Sequence, residues 1–221
     1  MANNRIPIEA DNFYHIYNHA VGKENLFENE QNYLFFLQKF AEYFNPVVET
    51  FAYCLMPNHF HFIIRLKKDS TLIDFYTEKY PKFSLKNSLL LADPTDFQNP
   101  QGLKVLTKQN SQHFGNFFNS YAKAFNGQHK RRGALFLNDF HRKIIDNIEY
   151  LKKLVHYIHY NPVIHGFAEN ILDWKYSSYQ SFFSMKNTNI ERQQVIDWFE
   201  DIENFISFHK KNIDDFEPNF D

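Results

Sequence analysis

The sequence predicts an α+β protein, and three observations lead to that class. Segments rich in β-branched and aromatic residues, which are typical of strands, alternate with segments whose apolar residues recur at three- and four-residue steps. These segments follow the order β-α-β-β-α-β-α, with further helical segments near the end of the chain. Two β-α-β-like halves in this order form a ferredoxin-like antiparallel sheet, for which we expect helices packed on one face.

The first half of the chain supplies three of the strands. We predict a strand from Asp11 to Val21 and a helix from Asn29 to Phe44. A hairpin then joins a strand over residues 47–56 to one that begins at His59, because Pro57-Asn58 is a turn signal between two strand-like runs.

The second half repeats the alternation after an interruption. A helix is predicted over residues 111–129, a strand over 135–145 and a helix over 148–161. The helix over residues 148–161 is expected to stop at Asn161, because Pro162 follows and the helical conformation is disfavoured for a residue that precedes proline.

Domain organisation follows from the segments that break this rhythm. Residues 68–110 contain three prolines and only short periodic pieces, so we predict a partly helical insertion. Residues 1–182 are expected to form one catalytic domain, and residues 183–221 a helical tail rich in aspartate and glutamate.

Composition narrows the class of protein. The single cysteine, Cys54, excludes an internal disulfide and fits a reducing compartment. The N-terminus has no apolar signal region, and no apolar run reaches the length of a membrane span. We therefore expect a cytoplasmic protein without a membrane partner.

The net charge of −2 gives no general argument for nucleic acid, but the charges are unevenly distributed. Basic residues concentrate between residues 123 and 153, whereas acidic residues concentrate after Ile190. A total charge near zero can therefore conceal a basic face.

Two histidines near the start of the third strand are candidate metal ligands. His59 and His61 lie two residues apart, so their imidazoles project from the same face of a strand. Neutral imidazole binds divalent metal ions, although a His-x-His pair alone does not distinguish ligands from exposed or hydrogen-bonded histidines.

The helix over residues 148–161 offers groups that would complete such a site. Tyr157 and Asn161 lie four residues apart and so share a helix face. The Asn161 amide oxygen is a hard ligand, and one oxygen with two imidazoles suits a six-coordinate Mg²⁺ or Mn²⁺ with open positions.

Four segments together resemble a known family. The chain contains MPNHFHFII, GALFLNDFHRKII, LVHYIHYNPVIHG and WKYSSY, in that order. This combination is similar to the single-tyrosine HUH transposases, which include transposases of small insertion sequences and REP-associated tyrosine transposases. The resemblance touches most of residues 11–182, outside the predicted insertion and the acidic tail.

The resemblance implies roles for four residues. The metal-binding pair of the family corresponds to His59 and His61, the nucleophilic tyrosine to Tyr157 and the third metal ligand to Asn161. It implies an HUH-type ferredoxin-like fold, a divalent metal cofactor (Mg²⁺ or Mn²⁺), and single-stranded DNA, often beside a hairpin, as the substrate. Cleavage would leave a 5′-phosphotyrosine and a free 3′-hydroxyl. The family includes monomers and dimers, so a homodimer is one of two expected states.

The expected DNA contacts are basic side chains near these segments, since lysine and arginine neutralise phosphates. They are Arg65, Lys67, Lys130, Arg131, Arg132, Arg142 and Lys143. Asn138 and Asp139 depart from the family, which often carries basic residues there. On the first strand, we expect His15 and His19 to be structural, and Tyr14 and Asn18 to line the site.

Three alternatives remain open from the sequence. The chain could be a domesticated DNA-hairpin-binding protein without catalysis, or a nickase similar to relaxases and replication initiators. A metallohydrolase of small substrates is a third alternative, although it lacks a carboxylate base beside the histidine pair.

Overall fold

The computed structural model describes residues 6–82, 100–137 and 139–211. The strands among them are β1 (Phe13–His19), β2 (Val48–Leu55), β3 (His59–Leu66) and β4 (His141–Ile145). The helices are α1 (Glu30–Phe44), α2 (Asp69–Lys79), α3 (Pro100–Gln128), α4 (Ile148–Ile164), α5 (Arg192–Trp198) and α6 (Ile202–His209). Two 3₁₀ turns, Ile171–Asp173 and Tyr179–Phe183, lie between α4 and α5.

The four strands form one antiparallel sheet in the order β2-β3-β1-β4. Strand β3 therefore lies between β1 and β2, which α1 connects along the chain. This is the strand order of a ferredoxin-like sheet, so the predicted α+β fold class is confirmed.

Helices cover both faces of the sheet, which corrects the expectation that they pack on one face. On one face, Phe36 and Phe40 of α1 contact β3, with Phe36 5.2 Å from Phe60 and Phe40 4.1 Å from Phe62 between ring centroids. On the other face, Ile63 shares a buried cluster with residues of α4. The second face is covered because Phe51 and Ala52 of β2, together with Ile63, give α4 an apolar surface on which to pack.

Helix α4 extends beyond its predicted end. Asn147 caps its N-terminus by accepting hydrogen bonds from two backbone N–H groups, as its position before the helix suggests. The helix continues through Pro162 to Ile164, so the predicted end at Asn161 is wrong. A proline removes one helical hydrogen bond, and packing of α4 against the sheet outweighs that loss in its last turns.

Two other predicted boundaries also shift. Helix α3 begins at Pro100, well before residue 111, and proline is tolerated in a first helical turn. Strand β4 covers only the last five residues of the predicted strand. Before it, Phe136 pairs with Ala20 in an isolated bridge that does not extend into a ladder.

The described parts of the predicted insertion belong to the core. Leu72 and Tyr76 of α2 and Leu106 of α3 are buried in the same cluster as α1. Residues 83–99 of the predicted insertion lie outside the described residues.

The C-terminal helices pack on the α4 side of the sheet. Val195, Phe199 and Phe205 are buried in a cluster with Phe51 of β2 and Ile158 of α4. Helix α6 covers the residues predicted for it. Residues of the acidic segment up to α6 therefore contribute apolar side chains to the core, and the boundary at residue 182 stays a prediction.

No helix within the three described ranges is both long enough and apolar enough to cross a membrane.

A buried histidine ties α3 to α1 and α2, and it should make the stability of the fold depend on pH. His113 Nε2 donates to the Tyr43 carbonyl at 2.7 Å, and its Nδ1 accepts from the Tyr80 hydroxyl at 3.0 Å. Burial, which disfavours the charged form, is the main cause that lowers the pKa of His113 to about 4.

In the unfolded chain His113 takes up a proton below its ordinary pKa of about 6.5, whereas in the folded protein it stays neutral down to about pH 4. Because the unfolded state then binds more protons, lowering the pH through this window should reduce the free energy of unfolding. The contribution of His113 is about 1.4 kcal/mol per pH unit. We expect His113→Gln to reduce the slope of the free energy of unfolding against pH by about that amount. The measurement is urea unfolding at pH 7, 6 and 5. Parallel curves for the variant and the unaltered protein would contradict this account.

Candidate functional site

The two predicted metal ligands of β3 lie on the face of the sheet that α4 covers. His61 has no exposed surface and His59 is 3% exposed. Their rings are perpendicular, with centroids 5.3 Å apart. The shared face predicted from their two-residue spacing is therefore present, and both imidazoles are buried rather than solvent-exposed.

Helix α4 brings Asn161 directly to this pair. The Oδ1 atom of Asn161 lies 2.8 Å from His59 Nε2, although 102 residues separate the two along the chain. Asn161 has no exposed surface, and its Nδ2 makes no hydrogen bond within the described residues. The structure therefore places together the two histidines and the amide that the sequence selects.

Tyr157 lies one helical turn before Asn161 on the same face of α4. Its ring is edge-on to His61 with a centroid separation of 5.7 Å, and it retains 7% exposure. The predicted nucleophile and the predicted ligands thus form one cluster at the contact between β3 and α4.

The hydrogen-bonding partners of His59 create a conflict between acceptors. Its Nδ1 lies 2.8 Å from Asn58 Oδ1, and its Nε2 lies 2.8 Å from Asn161 Oδ1. A neutral imidazole has a single N–H, so it can donate to only one of these two oxygens. A 180° rotation of the Asn161 amide, or a cation shared by Nε2 and Oδ1, removes the conflict.

The environment of His61 keeps its imidazole neutral. Burial lowers the pKa of His61 well below its ordinary value, and neighbouring histidines add to this effect. His61 Nδ1 lies 2.9 Å from Nε2 of His15, whose pKa burial lowers to about 3. A ligand role for His61 would use Nε2, with the proton on Nδ1 donated to His15, since metal-bound histidines usually donate their second N–H to a neighbour.

Strand β1 lines the site through residues that sequence reasoning did not select. Tyr17 pairs with His61 across the sheet, and its ring lies 5.8 Å from that imidazole. His19 pairs with His59 and stacks on it at 4.7 Å. His15 and His19 thus contact the candidate ligands rather than serving only the scaffold.

The expectation for Tyr14 and Asn18 was wrong. Tyr14 belongs to the α1-side core and donates its hydroxyl to the Pro7 carbonyl, and Asn18 pairs with Phe60, whose ring is buried on that side. The period-two alternation of strands, applied to β1 as it was to β3, would have assigned positions 15, 17 and 19 to one face.

Two histidines outside the predicted site also lie near it. His141 of β4 stacks on Tyr17 with centroids 4.9 Å apart, and burial lowers its pKa. His165, which follows the last turn of α4, lies 5.0 Å from the His59 ring. No local pattern predicts either contact, because both depend on how β4 and the end of α4 meet the sheet.

The three candidate ligands, His59, His61 and Asn161, can hold a hard divalent ion only together with further ligands. Within the described parts of the chain, no group of three or more histidine, cysteine, aspartate or glutamate side chains is arranged to hold a metal ion. The 2.8 Å between His59 Nε2 and Asn161 Oδ1 is close to the roughly 3.0 Å that separates adjacent ligands of an octahedral ion with bonds of about 2.1 Å. Two imidazoles and one amide would leave three positions for water or substrate oxygen atoms.

Three of the predicted DNA-binding residues are held by the protein itself. Arg65 forms an ion pair with Glu49 at 2.6 Å and lies over the rings of Phe13 and Phe51. Lys67 donates to the Asn45 carbonyl at 2.6 Å. Arg131 pairs with Glu24 and donates to two other groups.

The other predicted DNA-binding residues differ in their relation to the site. Lys143 of β4 lies 5.4 Å above the Tyr17 ring, on the face that carries the histidines. Arg142 faces the opposite side, where it donates to the Ile6 carbonyl and lies over Phe140. Lys130 and Arg132 are exposed in the segment after α3. Roles for all seven residues in DNA binding stay predictions.

Comparison with known proteins gives a sequence relative and a structural neighbour. No family model matches the chain. A curated protein of Haemophilus influenzae, provisionally named a REP-associated tyrosine transposase, is 27% identical over 131 residues, which cover 59% of this chain and 58% of that protein. This chain therefore matches little more than half the length of its curated relative.

The structural neighbour is a REP-associated tyrosine transposase solved with a REP hairpin. It has a TM-score of 0.51, 16% sequence identity, and coverage of 82% of this chain and 84% of its own. At this identity the likeness shows the fold, which is of the HUH type. Sequence similarity and fold together support, as the motifs predict, the HUH-type tyrosine transposase family for this chain.

Proposed function

We propose that this protein is a metal-dependent single-stranded DNA transposase that cleaves and rejoins DNA at hairpin-flanked sites through a 5′-phosphotyrosine. The observation that carries the proposal is the contact between His59 on β3 and Asn161 on α4, with Tyr157 one turn away and beside His61. A packing tyrosine needs no such neighbours, whereas a nucleophile needs a site for the phosphate that it attacks.

The comparisons support the DNA partner. The structural neighbour was solved with a REP hairpin, and the curated relative carries the same family name. A hairpin-bearing single strand of DNA is therefore the substrate to test first.

Three side chains would hold the proposed metal: His59 through Nε2, Asn161 through Oδ1 and His61 through Nε2. When bound, a divalent cation would act as a Lewis acid toward the scissile phosphate, an effect of several kcal/mol. The neutral state of His61, imposed by burial, keeps a lone pair available for this role.

Tyr157 would carry out the covalent step. Its Oη forms a bond to phosphorus while the bond from phosphorus to the 3′ oxygen breaks, the phenol loses its proton and the 3′ oxygen gains one. The phosphotyrosine retains the energy of the broken phosphodiester, so the free 3′-hydroxyl of a second junction can reverse the step without ATP.

The structure makes Tyr17 a competitor for the role of nucleophile, because its ring lies as close to His61 as that of Tyr157 does. We favour Tyr157 because it lies one helical turn before Asn161, which contacts His59, whereas the Tyr17 ring is held by stacking on His15 and His141, at 4.7 and 4.9 Å.

The direct test is covalent trapping. With Mg²⁺ or Mn²⁺ and a 5′-labelled or 3′-labelled hairpin-bearing single strand, the protein should form an adduct that carries the DNA 3′ of the break and survives denaturing electrophoresis. Tyr157→Phe should abolish the adduct, since it removes the attacking oxygen and little else.

Tyr160→Phe is the matched control on the same helix and should leave the adduct unchanged, because Tyr160 stacks on His156 away from the site. Loss of the adduct in Tyr17→Phe but not in Tyr157→Phe would transfer the role to Tyr17. Tight hairpin binding without an adduct under any divalent ion would favour the non-catalytic alternative.

A second prediction separates DNA contacts from scaffold contacts. We expect Lys143→Ala to weaken hairpin binding and to reduce the slope of log affinity against log salt by about one, as the loss of one phosphate contact does. It should leave the melting temperature nearly unchanged.

Arg65→Ala should show the opposite pattern. The loss of the Glu49 ion pair and of the contacts with two rings should lower the free energy of unfolding by about 1–2 kcal/mol and leave the salt slope intact. Equal salt slopes for Lys143→Ala and the unaltered protein would remove Lys143 from the DNA interface.

A further inference from the structure

A series of hydrogen-bonded, buried polar side chains lies on the side of α4 that faces away from the candidate metal ligands. Ser178, His159 of α4 and His209 of α6 are all buried. They are surrounded by aromatic rings, with Tyr179 at 5.3 Å and Phe182 at 5.6 Å from the His159 ring. Burying polar groups among such rings costs free energy unless every group is hydrogen-bonded.

The direction of each hydrogen bond in this series follows from the Phe205 carbonyl at one end. His209 Nδ1 lies 2.8 Å from the Phe205 carbonyl, which can only accept, so His209 carries its proton on Nδ1. His209 Nε2 must then accept from His159 Nδ1 at 2.9 Å. His159 Nε2 in turn accepts from the Ser178 hydroxyl at 2.9 Å, a shorter contact than the 3.2 Å between that hydroxyl and the Tyr53 carbonyl.

The other end of the chain closes on the sheet. Ser178 Oγ accepts from the backbone N–H of Tyr53 in β2 at 2.9 Å. One continuous set of four hydrogen bonds thus runs from β2 through Ser178, α4 and α6. Both histidines are neutral in this arrangement, in keeping with the burial that lowers the pKa of His209 to about 3 and that of His159 well below its ordinary value.

The position of His159 on α4 makes this chain relevant to the site. His159 lies two residues after Tyr157 and two before Asn161, so it projects roughly 160° away from both at 100° per residue. Hydrogen bonds are directional, and a chain that holds His159 from behind therefore sets the rotation of α4 that directs Tyr157 and Asn161 toward β3.

The last turns of α4 need this support more than an ordinary helix does. Pro162 has no N–H, so the Ile158 carbonyl loses the helical hydrogen bond that it would receive from position 162. Asn161, immediately before that proline, lies in the weakened turn. The Asn161 carbonyl still accepts from the His165 N–H at 3.1 Å, and side-chain contacts add to this support, since His159 is anchored by two hydrogen bonds in the same stretch.

We propose that His159, held between Ser178 and His209, is a positioning residue that fixes the last turns of α4, so that the C-terminal helix α6 determines where Asn161 and Tyr157 meet the histidines of β3. This inference rests on the proposed function for its effect on metal binding. Its effect on the helix is independent of that function.

The test uses three variants of the full chain. His209→Leu removes the acceptor for His159 Nδ1, and His209→Gln restores an acceptor oxygen at a similar reach. Val195→Ala is the matched control, because Val195 is buried in the same cluster and takes no part in the hydrogen-bonded chain. Hydrogen–deuterium exchange of the backbone amides in residues 158–164, except Pro162, is measured without metal. Mn²⁺ affinity is measured from the loss of the free-ion electron paramagnetic resonance signal.

We expect His209→Leu to speed exchange in residues 158–164 at least about tenfold and to raise the Mn²⁺ dissociation constant by about tenfold, the scale on which outer-shell contacts act. His209→Gln should recover most of both. Val195→Ala should lower the melting temperature without either effect.

Unchanged exchange in His209→Leu, or equal acceleration in Val195→Ala, would overturn the positioning role and leave only a structural one. A wild-type protein that binds no Mn²⁺ would instead contradict the proposed metal site, while the exchange measurement would still decide the role of His159.

Discussion

The contact between His59 Nε2 and Asn161 Oδ1 is the interaction on which the candidate site depends. It joins the central strand β3 to helix α4 across 102 residues, and the proposed nucleophile lies one turn from it. His59 faces amide oxygens at both ring nitrogens, and its neutral imidazole can donate to only one of them, so the pair of contacts calls for a cation or for a different orientation of one amide. The site is thus defined by an electrostatic requirement as well as by proximity.

The rest of the fold buries this contact against the four-stranded sheet. One face of the sheet is covered by the phenylalanine-rich contacts of α1 and α3, which account for much of the high aromatic content. On β3 that face carries Phe60, Phe62 and Ile64, whereas the opposite face carries the imidazoles of His59 and His61. Those imidazoles are tolerated in the interior because β1 and α4 supply partners such as His15 and Asn161.

Much of this could be predicted from the sequence. The order of strands and helices gave the fold class, and the two-residue spacing of the histidines and the four-residue spacing of Tyr157 and Asn161 gave the faces that meet. Local patterns could not show that α4 continues through Pro162, because that depends on packing against the sheet and on the chain through His159. Nor could they show that Arg65 and Arg131 are bound to acidic partners distant in sequence, which removes them from the simplest account of a DNA-binding surface.

The central claim is that His59, His61 and Asn161 bind one divalent ion beside Tyr157. The most direct measurement is anomalous diffraction at the manganese absorption edge from crystals of the protein grown with Mn²⁺. The account predicts a single peak within about 2.3 Å of His59 Nε2, His61 Nε2 and Asn161 Oδ1. A map without a peak there, with the Asn161 amide turned so that Nδ2 donates to His59, would contradict it.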